Sequence, residues 1–99
     1  MTLWSGHYGK NFHVNAREPG SQSLVLQLIG DFDASSACEL INILDDSVKT
    51  FNKVAIDTNG LRTINAFGLD VFLPRMSKLN NTRADIKVIE RFSNIFKEE

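Results

Sequence analysis

Residues 54–79 read VAIDTNGLRTINAFGLDVFLPRMSKL, and the fold hangs on how that run divides. Val54-Ala55-Ile56-Asp57 is a short apolar stretch of the kind that forms a buried strand. Thr58 to Asn65 is polar and contains a glycine, which reads as a turn. Asn65 can cap a helix, because its side-chain oxygen accepts an orphan amide hydrogen from a helix's first turn. From there the spacing is helical. At about 100° per residue Leu69, Phe72, Leu73, Met76 and Leu79 fall on one stripe, which must face a sheet. Phe67 points about 160° away from Leu69 and shares its side with Val71, Pro74 and the stem of Lys78. Pro74 lacks an amide hydrogen, so a loosened turn or kink is expected inside this helix.

Working outward, Ala37, Leu40, Ile41, Leu44, Val48 and Phe51 recur at helical spacing and predict an earlier helix. Ser35 or Ser36 is placed to cap it, with Glu39 closing a capping box on Ser36. Before that helix, Leu24 to Ile29 is almost continuously apolar and reads as a central strand. Phe12, Val14 and Ala16 alternate with polar residues, the period of a half-exposed strand. Glu18-Pro19-Gly20-Ser21 supplies turn chemistry between the two. After Asn80-Asn81-Thr82, the run Asp85 to Glu90 predicts a last strand, and Arg91 to Glu99 a short helix with Phe92, Ile95 and Phe96 inward. The expected fold is a small single α/β domain, a mixed four- to five-stranded sheet with crossover helices. Residues 12–99 form the domain, and residues 1–11 a leader or edge strand.

Composition narrows the function classes. Ninety-nine residues are enough for one core. Eleven basic against twelve acidic residues leave a net charge of −1, without the basic face that nucleic acid requires. No apolar run approaches the roughly 20 residues needed to span a bilayer. The single cysteine, Cys38, rules out an intrachain disulfide and fits a reducing, cytoplasmic setting. On the flank of the first helix it reads as a small, semi-buried hydrophobe.

Catalytic and cofactor constellations are missing. His7 and His13 have no cysteine or histidine at metal-ligand spacing. Asp31, Asp33 and Asp57 could gather at one end of the sheet as a weak cation site, but turn and cap roles suit such carboxylates better. Gly60 and Gly68 are eight apart and lack the Lys-Ser/Thr ending of a phosphate loop. Neither a cofactor nor a metal is expected, and nothing argues for an enzyme.

Three steps taken together carry a resemblance: Gly30-Asp31-Phe32-Asp33 before a helix, Val54-Ala55-Ile56-Asp57, and Ile64-Asn65-Ala66-Phe67-Gly68-Leu69 opening the next helix. In element order, spacing and length, residues 12 to 96 resemble the STAS domain of bacterial anti-sigma factor antagonists. The resemblance implies a non-enzymatic interaction module whose partner is an anti-sigma factor that is also a serine kinase. In that family the partner phosphorylates the second hydroxyl of an Asp-Ser-Ser-Gly step, adding close to two negative charges at a helix start. Here the motif aspartate falls on Asn65, the first serine on Ala66 and the phosphorylated serine on Phe67, while Gly68 and Leu69 match.

With both hydroxyls gone, the resemblance implies regulation by binding without phosphorylation at the usual position. Asn65, Ala66, Phe67, Gly68, Val71 and Pro74 are the expected partner-binding residues. Thr63 and Thr58 are the nearest substitute phosphoacceptors. A STAS subunit of a larger signalling scaffold or transport-associated complex is an alternative. A small-ligand or nucleotide sensor using the Asp31/Asp57 end of the sheet is another. Membrane insertion is not expected, and a homodimer is compatible with the pattern.

Overall fold

The computed structural model describes residues 11–80 and 84–96, together with the backbone of residues 2–7. Five strands form one sheet in the order β1 (Thr2–His7), β2 (Phe12–Gly20), β3 (Ser23–Phe32), β4 (Lys53–Ile64) and β5 (Asp85–Ile89). Helix α1 (Ala34–Ser47) joins β3 to β4, and α2 (Ala66–Asn80) joins β4 to β5. The first three strands are antiparallel and the last three parallel, so the sheet is mixed. Both crossovers advance in the same direction, β3 to β4 to β5. Connections of one hand then set both helices on one face, where α1 and α2 pack side by side.

The core lies between that face and the helices. Phe12, Val14 and Ala16 of β2 are buried, as are Leu24, Leu26 and Leu28 of β3 and Val54 and Ile56 of β4. Ala37, Leu40, Ile41, Leu44 and Val48 meet them from α1, with Phe51 partly buried against the cluster. From α2, Phe72 is fully buried while Leu69, Leu73, Met76 and Leu79 pack at its margin. Both amphipathic stripes therefore face the sheet. At the end of β3 four rings interlock: Phe32 stands edge-on to Phe12, Phe72 and Phe96, with centroids 6.1, 5.7 and 5.1 Å away.

Several boundaries differ from the sequence expectation. Strand β4 does not stop at Asp57 but continues to Ile64. Its parallel partner β3 keeps supplying backbone bonds as far as Phe32↔Ile64, and register shifts after Gln27 and Gly30 absorb the polar stretch. The β2–β3 turn is Ser21-Gln22, with Gln22 at φ 62, and Pro19 and Gly20 end β2 beside an irregular register. The cap residue of α1 is Asp33, not Ser35 or Ser36: its carboxylate accepts the Ser36 amide at 2.9 Å. Cys38 is exposed rather than semi-buried. Pro74 lies inside α2 without ending it.

The expected terminal helix is a set of turns over residues 90–96, entered through Glu90 at φ 74. Ser93 and Ile95 donate to carbonyls three residues back, at Glu90 and Phe92. Phe96 is buried and Phe92 half-buried, but Ile95 is exposed. The remainder of that expected helix, 97–99, lies outside the described residues, as do residues 81 and 82 of the expected loop and residues 1 and 8–10 of the leader. Residues 2–7 form an edge strand, β1, paired with β2.

Candidate functional site

Two strand-to-helix junctions lie next to each other at the C-terminal ends of β3 and β4, and they are bolted together. The Asn65 amide donates to the Phe32 carbonyl at 2.8 Å. Asn65 Oδ1 in turn accepts the Phe67 amide at 2.8 Å, the expected cap, and its backbone carbonyl accepts the amides of Gly68 and Leu69. Gly68 is buried. A Cβ there would sit 2.9 Å from both the carbonyl carbon and oxygen of Asp33, so only glycine lets the first turn of α2 rest on the first turn of α1. The close approach that Gly68 permits is made by the chain itself.

Asp33 holds the other junction. Its Oδ1 accepts from the Ser36 amide and stands 2.9 Å from the buried Ser36 Oγ, which is 3.0 Å from the Asp31 carbonyl. Bonding to the Ser36 backbone, then to its hydroxyl, holds the Asp33 carboxyl below the usual carboxylate range. Asp31 faces outward into a clasp. Arg62 Nε and Nη2 donate to its two oxygens at 3.1 and 2.9 Å, and Thr63 Oγ1 donates to Oδ1 at 2.8 Å. The Arg62 hydrogen bonds, followed by that from Thr63, lower its carboxyl from the ordinary 3.8.

The sign of the Asp31 shift fixes a pH dependence. A carboxyl whose folded value is depressed adds stability that is complete above its ordinary value of 3.8 and is lost as the pH falls through the lower, folded value. Thermal melts from about pH 5 to about pH 2 should show a shallower acid decline for Asp31→Asn than for the parent chain. Parallel curves would mean that the Arg62 clasp does not persist in solution.

The residues expected to bind a partner fall into two groups. Asn65, Ala66, Phe67 and Pro74 are exposed, and Phe67 most conspicuously so at 73%. Val71 is half-buried against the core margin and Gly68 is covered by Asp33, so these two shape the surface from beneath. Of the substitute phosphoacceptors, Thr63 is exposed. Thr58 is not accessible: it is fully buried, donating to the Ile89 carbonyl and accepting from the Phe92 amide, both at 2.9 Å.

The three aspartates do not form a shared cation site. Register places Asp57 opposite Gln27 and Asp31 opposite Thr63, which separates the two acids by four residues, about 13 Å of strand. Asp57 instead accepts the Asn59 amide at 2.9 Å, and Asp33 is the cap. Among the described residues no group of three or more His, Cys, Asp and Glu could hold a metal ion. No helix among them is long and apolar enough to cross a membrane. The Arg62–Asp31 clasp is invisible in the sequence, because only the parallel register brings the two residues together.

Solved structures with the same arrangement identify the fold. The chain is similar to SpoIIAA, a Bacillus anti-sigma factor antagonist, with a TM-score of 0.64 and 12% identity over 83% of this chain and 76% of that one. It is similar to an anti-sigma factor antagonist STAS domain from Rhodobacter sphaeroides, with a TM-score of 0.65 and 12% identity over 90% and 94% of the two chains. A part of the larger Mglu matches as well, at a TM-score of 0.67 and 16% identity over 77% of this chain and 19% of that one. No family model and no curated protein matches the sequence. The chain has the STAS fold.

Proposed function

We propose that this protein is a non-enzymatic interaction module that works as anti-sigma factor antagonists do, by docking a protein partner on the start of α2. Its partner would be an anti-sigma factor with serine-kinase character or a scaffold that holds STAS domains. The observation that carries this reading is Phe67. It is 73% exposed, at the helix position where the resembling family places its phosphorylated serine. An exposed aromatic on a fixed backbone is a typical interface anchor. A phenyl ring accepts no phosphate, so the docking is set by affinity and abundance instead of by modification at this position. Likeness to the antagonists from Bacillus and Rhodobacter supports the family-level role.

Affinity purification of the tagged chain from its own cells, followed by titration with the recovered partner, tests the reading. Phe67→Ser should weaken that partner by about 30-fold, equivalent to about 2 kcal/mol, while the melting temperature stays nearly unchanged. Phosphate mapping by mass spectrometry after incubation with the partner should find none at the start of α2. Intact affinity in Phe67→Ser would remove the ring from the interface.

A further inference from the structure

The face of α2 that begins with Phe67 ends in two cations. Arg75 and Lys78 are exposed and lie about 12 and about 16 Å along the helix from Phe67 at the usual rise. Neither has an intrahelical partner, because the positions three and four residues from Arg75 are Val71, Phe72, Lys78 and Leu79, and those preceding Lys78 are Pro74 and Arg75. Among the described residues the ion pairs belong to Lys49, Arg62 and Lys87, and Arg75 and Lys78 form none. Both line a groove of about 420 Å³ between α1 and α2, with Ile41 and Leu79 as its apolar part and Asn42 and Asp45 on the α1 side. Asp45 already faces Lys49, in the turn just past the end of its helix, at 4.0 Å. The groove thus joins an apolar strip to two cations without an ion-pair partner.

We infer that this groove is the charge-selective half of the docking surface, and that it receives an acidic protein segment. Carboxylates of that segment pair with Arg75 and Lys78 while an apolar group of the same segment covers Phe67. The inference rests on Phe67 being a docking residue and adds the chemistry of what docks. Nucleic acid fits poorly, since Asp45 lines the same groove where a phosphate backbone would need a continuous basic track. Opposite charges across an interface select partners and accelerate encounter more than they deepen affinity. The apolar anchor and the cations therefore divide the work.

A display library of random 16-residue segments, selected on the full chain, is the probe. Enriched segments are expected to carry at least two Asp or Glu near one end and an apolar cluster near the other. Their affinity should fall as salt rises, and should drop about tenfold for the double variant Arg75→Glu with Lys78→Glu, which retains the parent melting temperature. Enrichment of neutral, basic or no segments, or affinity indifferent to the double reversal, overturns the inference. Phe67→Ser separates the two ideas. Acidic segments that still bind this variant would remove the anchor while keeping the groove, and segments lost with Phe67→Ser but not with charge reversal would do the opposite. An oligonucleotide control that binds in place of peptides would assign the cations to nucleic acid and also overturn it.

Discussion

Replacing Phe32 by alanine is expected to destabilise the fold by about 3–5 kcal/mol, the usual cost of emptying a buried aromatic site. Phe32 is fully buried and touches three other rings, Phe12 from β2, Phe72 from α2 and Phe96 from the C-terminal turns. Phe72 and Phe96 also meet each other, 5.8 Å apart, so they cannot both move into the vacated space without losing that contact. A domain of this size has only about 5–15 kcal/mol in total. Chemical denaturation should therefore show a midpoint displaced by about a fifth or more, with an unchanged slope. A loss below about 1 kcal/mol would mean that the four-ring cluster is loosely packed.

The second large effect is expected at Gly30, where two costs combine. Its φ of +102 lies where side chains are strained, and a Cβ would clash with the Asn11 carbonyl oxygen. That oxygen is held in place, because it accepts the Asp31 amide at 2.8 Å. Gly30→Ala must push β2 away from β3 or rotate the peptide. A cost of about 2–5 kcal/mol is expected from backbone strain and overpacking together. Gly20→Ala is the internal control: a Cβ there meets nothing within 4 Å, and stability should barely change. Equal effects at the two positions would contradict the geometry at Gly30.

What can be read from the sequence is whatever is local and periodic. Phe12, Val14 and Ala16 alternate, and Leu40, Leu44 and Val48 recur at helical spacing, so the faces of β2 and α1 follow from the chain alone. The same logic places Phe72 inside and Phe67 outside. Three kinds of information are hidden. Thr58-Asn59-Gly60 has the composition of a turn, yet β3 continues alongside and its backbone bonds hold the segment as strand. Asp33, Ser35 and Ser36 are all good caps. The choice among them depends on burial, for Ser36 is turned inward at 1% exposure, leaving the carboxylate of Asp33 to cap. The partnership of Arg62 with Asp31 depends on parallel register across 31 residues, which no local pattern encodes.

The contact between Gly68 and the Asp33 backbone has a consequence for the free energy of docking. The ring of Phe67 extends from a peptide whose neighbour is wedged against another helix's cap and whose own amide is tied to Asn65. Its backbone is thus ordered before any partner arrives. Association then forfeits little main-chain entropy on this side, and a mobile loop bearing the same side chain would lose more on being fixed. Gly68→Ala would reveal this as kinetics: with the wedge displaced, the dissociation rate should rise more than the association rate falls.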